Sequence, residues 1–184
     1  GNIDYECLFK DDNIRNIWHY FNLLPLNHRS SIITYGEGVL PIDRWERLEK
    51  VAYDYFDIDC EIRVLRHDNN PGTGTFKDLA GTVVSSVLKE ENVHNYVVAS
   101  TGNIGAAFSR YLCANDINLY AFLPKDSSDM QYSEITSNGG IVYRVDGDYA
   151  KTKEYAKEFA KQHNFLLAAT GIDPTRIEAK KTMA

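Results

Sequence analysis

The stretch PGTGTFKD, residues 71–78, carries the strongest indication of fold and chemistry in this sequence. Its proline and glycines favour a turn, and the segment 78–91 that follows is predicted to be a helix. Lys77 therefore leaves a glycine-rich turn at the start of a helix. The positive end of the helix dipole disfavours a protonated ammonium there, and a neutral amine is a nucleophile toward aldehydes. Lys77 is thus the first candidate catalytic residue.

A second glycine-rich turn follows the next apolar run, Tyr96 to Ala99, and opens an alanine-rich helix. Its first four residues are Ser100, Thr101, Gly102 and Asn103. Turns between a strand and a helix present free backbone N–H groups to an anion, so the pattern predicts a ligand-binding loop.

Each of these residues also has an ordinary structural interpretation. A lysine after a strand is usually a solvated surface charge, and a strand-to-helix turn is common in proteins without any ligand there. Asn103 suits a helix cap. Asp78 either orients Lys77 or, as an acid in the first helical turn, only stabilises the dipole.

Short strands alternate with helices from the middle of the chain onward. The pattern predicts strands at 93–100, 118–123, 141–145 and 165–169, and helices at 103–115, 130–137 and 149–163. Upstream it predicts helices at 14–21 and 43–53 and a strand at 61–66. Such alternation implies a parallel sheet with right-handed crossovers, so the predicted fold class is α/β with three layers. In helix 149–163 we expect Tyr149, Tyr155 and Phe159 to face the core, and we assign that helix no chemistry.

These motifs resemble the fold-type II family of pyridoxal-phosphate (PLP) enzymes, which includes threonine synthases, serine and threonine dehydratases, and cysteine-forming β-replacement enzymes. Residues 73–78 resemble that family's lysine segment, and residues 100–103 its asparagine loop. The stretch GEGVLPI, residues 36–42, resembles the Gly-Glu-Gly-x-Thr-Pro-Leu element of threonine synthases, with Leu40 where threonine is usual. The resemblance covers roughly residues 30 to 184, and several motifs in family order are more specific than one glycine turn.

The resemblance implies a role for each candidate site residue. Lys77 would hold PLP as a Schiff base and then move protons at the substrate's Cα. Asn103 would bind the cofactor through a hydrogen bond to its phenolic oxygen. Ser100, Thr101 and Gly102 would receive the α-carboxylate of an amino-acid substrate.

The implied function is a PLP-dependent lyase resembling threonine synthase, which makes threonine and phosphate from O-phosphohomoserine by elimination and replacement. A serine or threonine dehydratase and a cysteine-synthase-like β-replacement enzyme are alternatives, and Leu40 leaves that choice open. An alternative from another class is a catalytically silent, truncated α/β module that acts by binding a partner. The family resemblance also implies a homodimer.

The resemblance implies three parts within the 184 residues. Residues 1–92 would belong to the large domain and carry the PLP lysine, residues 93–169 would form a small Rossmann-like α/β domain, and residues 170–184 would begin the return to the large domain. Members of this family are much longer, and the helical-looking residues 176–184 lack a C-terminal cap. We therefore expect the N-terminal portion of a two-domain enzyme, as a fragment or as a truncated relative.

Composition excludes several function classes. The chain is 43% hydrophobic and 25% charged with a net charge of −6, and it contains no apolar run near the roughly 20 residues of a membrane span. The acidic balance argues against nucleic acid as a partner, since phosphate neutralisation needs a basic face. We expect a cytoplasmic protein without nucleic-acid or membrane partners. Cys7, Cys60 and Cys113 match neither a disulfide framework nor a zinc site, and the five histidines lack metal-ligand spacing.

Overall fold

A computed structural model describes residues 13–169 and 172–183 of the chain, so the expectation for Cys7 lies outside the described residues. The strands are β1 (Ile42–Arg44), β2 (Arg63–Leu65), β3 (Asn95–Ala99), β4 (Asn118–Pro124), β5 (Ile141–Val145) and β6 (Leu166–Leu167). The α-helices are α1 (Glu46–Phe56), α2 (Lys77–Glu90), α3 (Asn103–Phe108), α4 (Asp129–Ser137), α5 (Tyr149–His163) and α6 (Thr175–Glu178). Shorter 3-10 helices span Ile17–Leu23, Arg29–Ser31, His67–Asn69 and Ala179–Met183, and a π-helical turn spans Ser109–Cys113.

The central sheet is parallel and confirms the predicted α/β class. Its strand order is β5-β4-β3-β6, and the helices α3, α4 and α5 lie in the connections between successive strands. The register pairs Val97 of β3 with Tyr120 of β4. Strands β1 and β2 form a separate antiparallel pair.

Helices cover both faces of the parallel sheet, which gives three layers. Tyr96 and Val98 of β3 point to one face and pack with Val84 and Leu88 of α2. Val97, between them in sequence, points to the other face and packs with the α5 residues Ala156 and Ala160. Because side chains alternate along a strand and both faces are covered, residues 96–99 of β3 form an unbroken apolar run.

Helix α2 is the element that holds the upstream chain and the sheet together. Its outer side packs on Ile17 and Trp18, both fully buried, and the indole Nε1 of Trp18 donates to Thr82 Oγ1 at 2.9 Å. Where α2 passes the π-helical turn, a Cβ at Gly81 would lie 2.4 Å from Tyr111 Cδ2. Only glycine permits this close approach, which fixes how closely α2, and with it the lysine at its start, packs against its neighbours.

Several elements differ from the sequence prediction. The last strand shrinks from 165–169 to Leu166–Leu167, because only those residues pair with β3. Helix 103–115 changes to π-helical geometry at Ser109, and the predicted helix at 14–21 is a 3-10 helix that begins at Ile17. Strand β1 was not predicted.

The core stripe predicted for α5 is only partly correct. Phe159 packs on the core, but Tyr149 is 42% exposed and Tyr155 is 48% exposed. The small side chains of Ala156 and Ala160 bring α5 close to the sheet, which leaves these two tyrosines at the margin.

The division into domains stays a prediction. Within residues 13–169 and 172–183, no helix combines the length and the apolar character that crossing a membrane requires.

Candidate active site

A cavity of about 480 Å³ opens at the carboxyl end of β3. The carboxyl edge of a parallel sheet is the usual ligand-binding edge of this fold class. Four segments line the cavity: the start of α2, the turn from β3 into α3, the start of α5, and the region of α6. The lining residues are Phe76, Lys77, Ala80, Ala99, Thr101, Gly102, Asn103, Ile104, Tyr149, Arg176, Ile177 and Lys180. The fold thus brings Lys77 together with Thr101, Gly102 and Asn103 in the wall of one cavity.

Lys77 is the first residue of α2 and is half-buried in the cavity wall. Its Nζ lies 4.2 Å from the centroid of the Phe76 ring, and it makes no hydrogen bond or ion pair within the described part of the chain. Burial lowers the pKa of Lys77, and the positive charges of Lys180 and Arg176 lower it further. The direction agrees with the sequence prediction, but the causes are burial and neighbouring cations, where the sequence argument used the helix dipole.

Asp78 holds the loop that precedes Lys77. Its carboxylate is fully buried and accepts hydrogen bonds from the Thr73 N–H at 2.9 Å and from Thr73 Oγ1 at 3.1 Å. Burial raises the pKa of Asp78, and the bonds from Thr73 oppose that rise. A Cβ at Gly72 would lie 2.1 Å from Asp78 Oδ1, so glycine is needed for the loop to close over the carboxylate. Asp78 therefore shapes the turn that presents Lys77.

The buried amide of Asn70 connects the lysine loop to the GEGVLPI stretch. Its Oδ1 accepts from the Gly38 N–H at 3.2 Å, and its Nδ2 donates to the Thr75 carbonyl at 3.1 Å. Next to Gly38, the fully buried Glu37 carboxylate accepts from Tyr111 Oη at 2.8 Å. Sequence reasoning missed Asn70, which directly precedes the glycine-rich turn 71–78.

The Ser100 side chain organises the second glycine turn from within. Its Oγ accepts from the Gly102 N–H at 3.3 Å and from the Gly105 N–H at 3.1 Å, and it donates to the Gly102 carbonyl at 2.9 Å. Ser100 is 1% exposed and does not line the cavity, whereas Thr101 and Gly102 do. The three residues predicted to receive a carboxylate thus divide into two at the wall and one behind it.

Asn103 does not cap the helix that it begins. Gly102 occupies the N-cap position, and Asn103 is the first helical residue of α3. The Asn103 side chain is exposed in the cavity wall and has no hydrogen-bond partner among the described residues. The capping interpretation is therefore wrong, and the amide is available to a ligand.

Three polar residues of the cavity wall were not predicted as site residues: Tyr149, Arg176 and Lys180. Tyr149 was assigned to the core, but its Oη donates to the Ala99 carbonyl at 3.4 Å beside the cavity. Arg176 and Lys180 are four residues apart in a helical-looking segment, and that spacing puts two side chains on one face. The spacing is the signal that could have identified them as a pair.

The charge of the cavity wall is positive. Lys77, Arg176 and Lys180 line it, and no aspartate or glutamate occurs among its described lining residues. Cations gathered in a partly enclosed cavity favour an anionic ligand. The wall also offers one polar amide, that of Asn103, and one phenol, that of Tyr149.

Residues 33–184 match the family model described as pyridoxal-phosphate dependent enzyme. A threonine synthase of Methanocaldococcus jannaschii is 27% identical over 169 residues, which are 91% of this chain and 40% of that protein. A threonine synthase of Halalkalibacterium halodurans is 25% identical over 166 residues, which are 90% of this chain and 45% of that protein. The chain thus spans less than half the length of the curated relatives it matches.

A solved structure has the same fold over most of the chain. The apo form of Escherichia coli diaminopropionate ammonia lyase superposes with a TM-score of 0.69 at 20% sequence identity. The match covers 82% of this chain and 45% of that enzyme chain. At this identity the likeness concerns the arrangement of the backbone.

Proposed function

The chain belongs to the family of pyridoxal-phosphate dependent enzymes, and we propose that the cavity at the end of β3 is its cofactor site, with Lys77 as the residue that binds the cofactor covalently. The observation that supports this best is the state of the Lys77 amine. It faces the cavity without a hydrogen-bond partner in the described residues, and its pKa is lowered. A lowered pKa increases the share of neutral amine, which is the form that attacks an aldehyde.

The cavity is suited to the cofactor in size and in chemistry. Its volume of about 480 Å³ falls within the ordinary range of small-ligand pockets. The wall supplies an amine for an aldehyde, an amide that can donate to a ring oxygen, and cations that attract a phosphate. Bound PLP supplies an electron sink for the bonds of an amino acid's α-carbon.

The chain's own residues would then have separate tasks. Lys77 would hold the cofactor and would take and return a proton at the Cα of the substrate. The Asn103 amide holds the cofactor ring by donating a hydrogen bond. Thr101 and Gly102 bind the substrate carboxylate at the wall, and Ser100 keeps their turn in shape through its three hydrogen bonds.

For the reaction we propose elimination and replacement on O-phosphohomoserine, as in a threonine synthase. The curated relatives bear that name, and the wall cations Arg176 and Lys180 favour a substrate with an additional phosphate charge. Leu40 keeps a dehydratase or a β-replacement enzyme as the alternative within the family. A homodimer and a cytoplasmic location complete the proposal.

Borohydride reduction in the presence of PLP, followed by peptide mapping, tests the role of Lys77. We expect the pyridoxyl group on Lys77 in the unmodified protein and no such label in Lys77→Ala. Lys89→Ala is a matched control at the other end of α2, where Nζ donates to the Ser30 carbonyl, and it should label normally.

A label on another lysine would refute the assignment of Lys77. A folded protein without any label would favour the catalytically silent module that binds a partner. Release of phosphate from O-phosphohomoserine, compared with keto-acid formation from serine and threonine, separates the reactions within the family.

A further inference from the structure

Two lysines of the cavity wall lie against the same aromatic ring. Lys77 Nζ is 4.2 Å from the centroid of the Phe76 ring, and Lys180 Nζ is 5.9 Å from that same centroid. Since both distances run to one point, the two nitrogens lie within about 10 Å of each other. A cation is attracted to an aromatic ring, so Phe76 keeps two like charges at close range.

The other groups that face Lys77 do not neutralise this pair. Arg176 adds a third positive charge, and Tyr149 presents a phenol from the start of α5. The nearest acid in sequence, Asp78, is turned away from the cavity and bonded to Thr73. No carboxylate occurs among the described lining residues of the cavity, so none lies in the wall between Lys77 and Lys180.

We propose that Lys180 is a positioning residue that keeps the Lys77 amine reactive: its positive charge, held at the same ring, increases the neutral and nucleophilic fraction of Lys77. The effect of the Lys180 charge on Lys77 is present in the cofactor-free protein. Only the use of the neutral amine for cofactor attachment rests on the proposed function. The order of causes that lower the Lys77 pKa agrees, with burial first, Lys180 second and Arg176 third.

The chain offers a control one residue away. Lys181 carries the same charge on the same 3-10 helix, but its Nζ pairs with the Glu178 carboxylate and it does not line the cavity. A general effect of net charge would make Lys180 and Lys181 equivalent. A local effect at the ring would distinguish them.

The size of the effect follows from the separation. The ring contacts set about 10 Å as the upper limit of that separation, and at this distance two unit charges screened by solvent change the neutral fraction of Lys77 by roughly two- to fourfold. Lys180 is exposed, so solvent screening keeps the change at that modest level and its substitution should not disturb folding.

Competitive labelling with acetic anhydride over a series of pH values, followed by peptide mapping, measures the reactivity of Lys77 in the cofactor-free protein. We expect Lys180→Met to move the midpoint of Lys77 labelling to higher pH and to slow labelling at neutral pH about two- to fourfold. Lys180→Arg keeps the charge and should label as the unmodified protein does. Lys181→Met should also match the unmodified protein.

An unchanged midpoint in Lys180→Met, or an equal shift in Lys181→Met, would overturn the proposal. Loss of reactivity in Lys180→Arg as well would indicate a packing role and would overturn it too. Lys180→Gln provides a second neutral variant if the methionine variant folds poorly, as judged by circular dichroism. Because this assay contains no PLP, its result is independent of whether borohydride places a pyridoxyl group on Lys77.

Discussion

Replacement of Asp78 by alanine tests whether a buried carboxylate holds the lysine loop. The carboxylate accepts two hydrogen bonds from Thr73, and each bond to a charged acceptor contributes about 1.5–3 kcal/mol. Burial of the charge, which raises the pKa of Asp78, offsets part of this gain. We therefore expect Asp78→Ala to lower the free energy of unfolding by about 2–4 kcal/mol.

An acid that acts only on the helix dipole would contribute less. Such an acid is worth about 0.3–1 kcal/mol, and added salt screens its effect. Asp129 is the matched control, because it lies in the first turn of α4 with a side chain that is 90% exposed and paired with Arg144. We expect Asp129→Ala to cost less than about 1 kcal/mol.

Urea denaturation followed by circular dichroism, at low and at high salt, measures both variants. The cost of Asp78→Ala should persist at high salt, since its bonds to Thr73 are shielded from solvent, and Lys77 should lose much of its labelling by PLP and borohydride. A cost for Asp78→Ala below about 1 kcal/mol that disappears in salt would refute the loop-holding role and support the dipole interpretation.

Two further substitutions probe the site and the core. Because Gly102 is the N-cap, Asn103→Ala should change the free energy of unfolding by less than about 0.5 kcal/mol, and it should alter the absorbance of the bound cofactor. A loss of about 0.5–2 kcal/mol with normal absorbance would restore the capping interpretation. Burial and the Asp173 carboxylate hold the pKa of Tyr96 well above its usual 10.0. Above pH 10.0 the folded protein therefore keeps a proton that the unfolded chain loses, and the free energy of unfolding should fall as the pH rises. Urea denaturation below and above pH 10.0 should show that the free energy of unfolding falls less steeply with pH in Tyr96→Phe than in the unmodified protein. An equal slope in the two proteins would contradict this account.

The regular elements were predictable because their signals are local. The bounds of helix 149–163 and strand 141–145 agree with the structure, since apolar spacing and flanking turn residues define them. The lysine helix begins one residue earlier than predicted, at Lys77. Short elements were less predictable, because strand β6 exists only where two residues pair with β3.

The candidate site was only partly predictable, for a related reason. Lys77 and Asn103 stand in recognisable turns, so their motifs marked them. Tyr149 was misassigned because its helical spacing resembles that of a core residue, whereas the small side chains of α5 leave it at the cavity. Asn70 carries no motif, and only its two hydrogen bonds show that it joins separate loops.

By itself the sequence determined the α/β class, the placement of a lysine at a helix start, and a glycine turn at the end of the next strand. These properties depend on backbone preferences over a few residues. The tertiary structure alone decided what surrounds that lysine. Chain folding brings Arg176 and Lys180 to a cavity that begins at Lys77, far earlier in the sequence, and turns Asp78 away toward Thr73. Because charge interactions depend on distance in space, the cause of the lowered Lys77 pKa could be found only there.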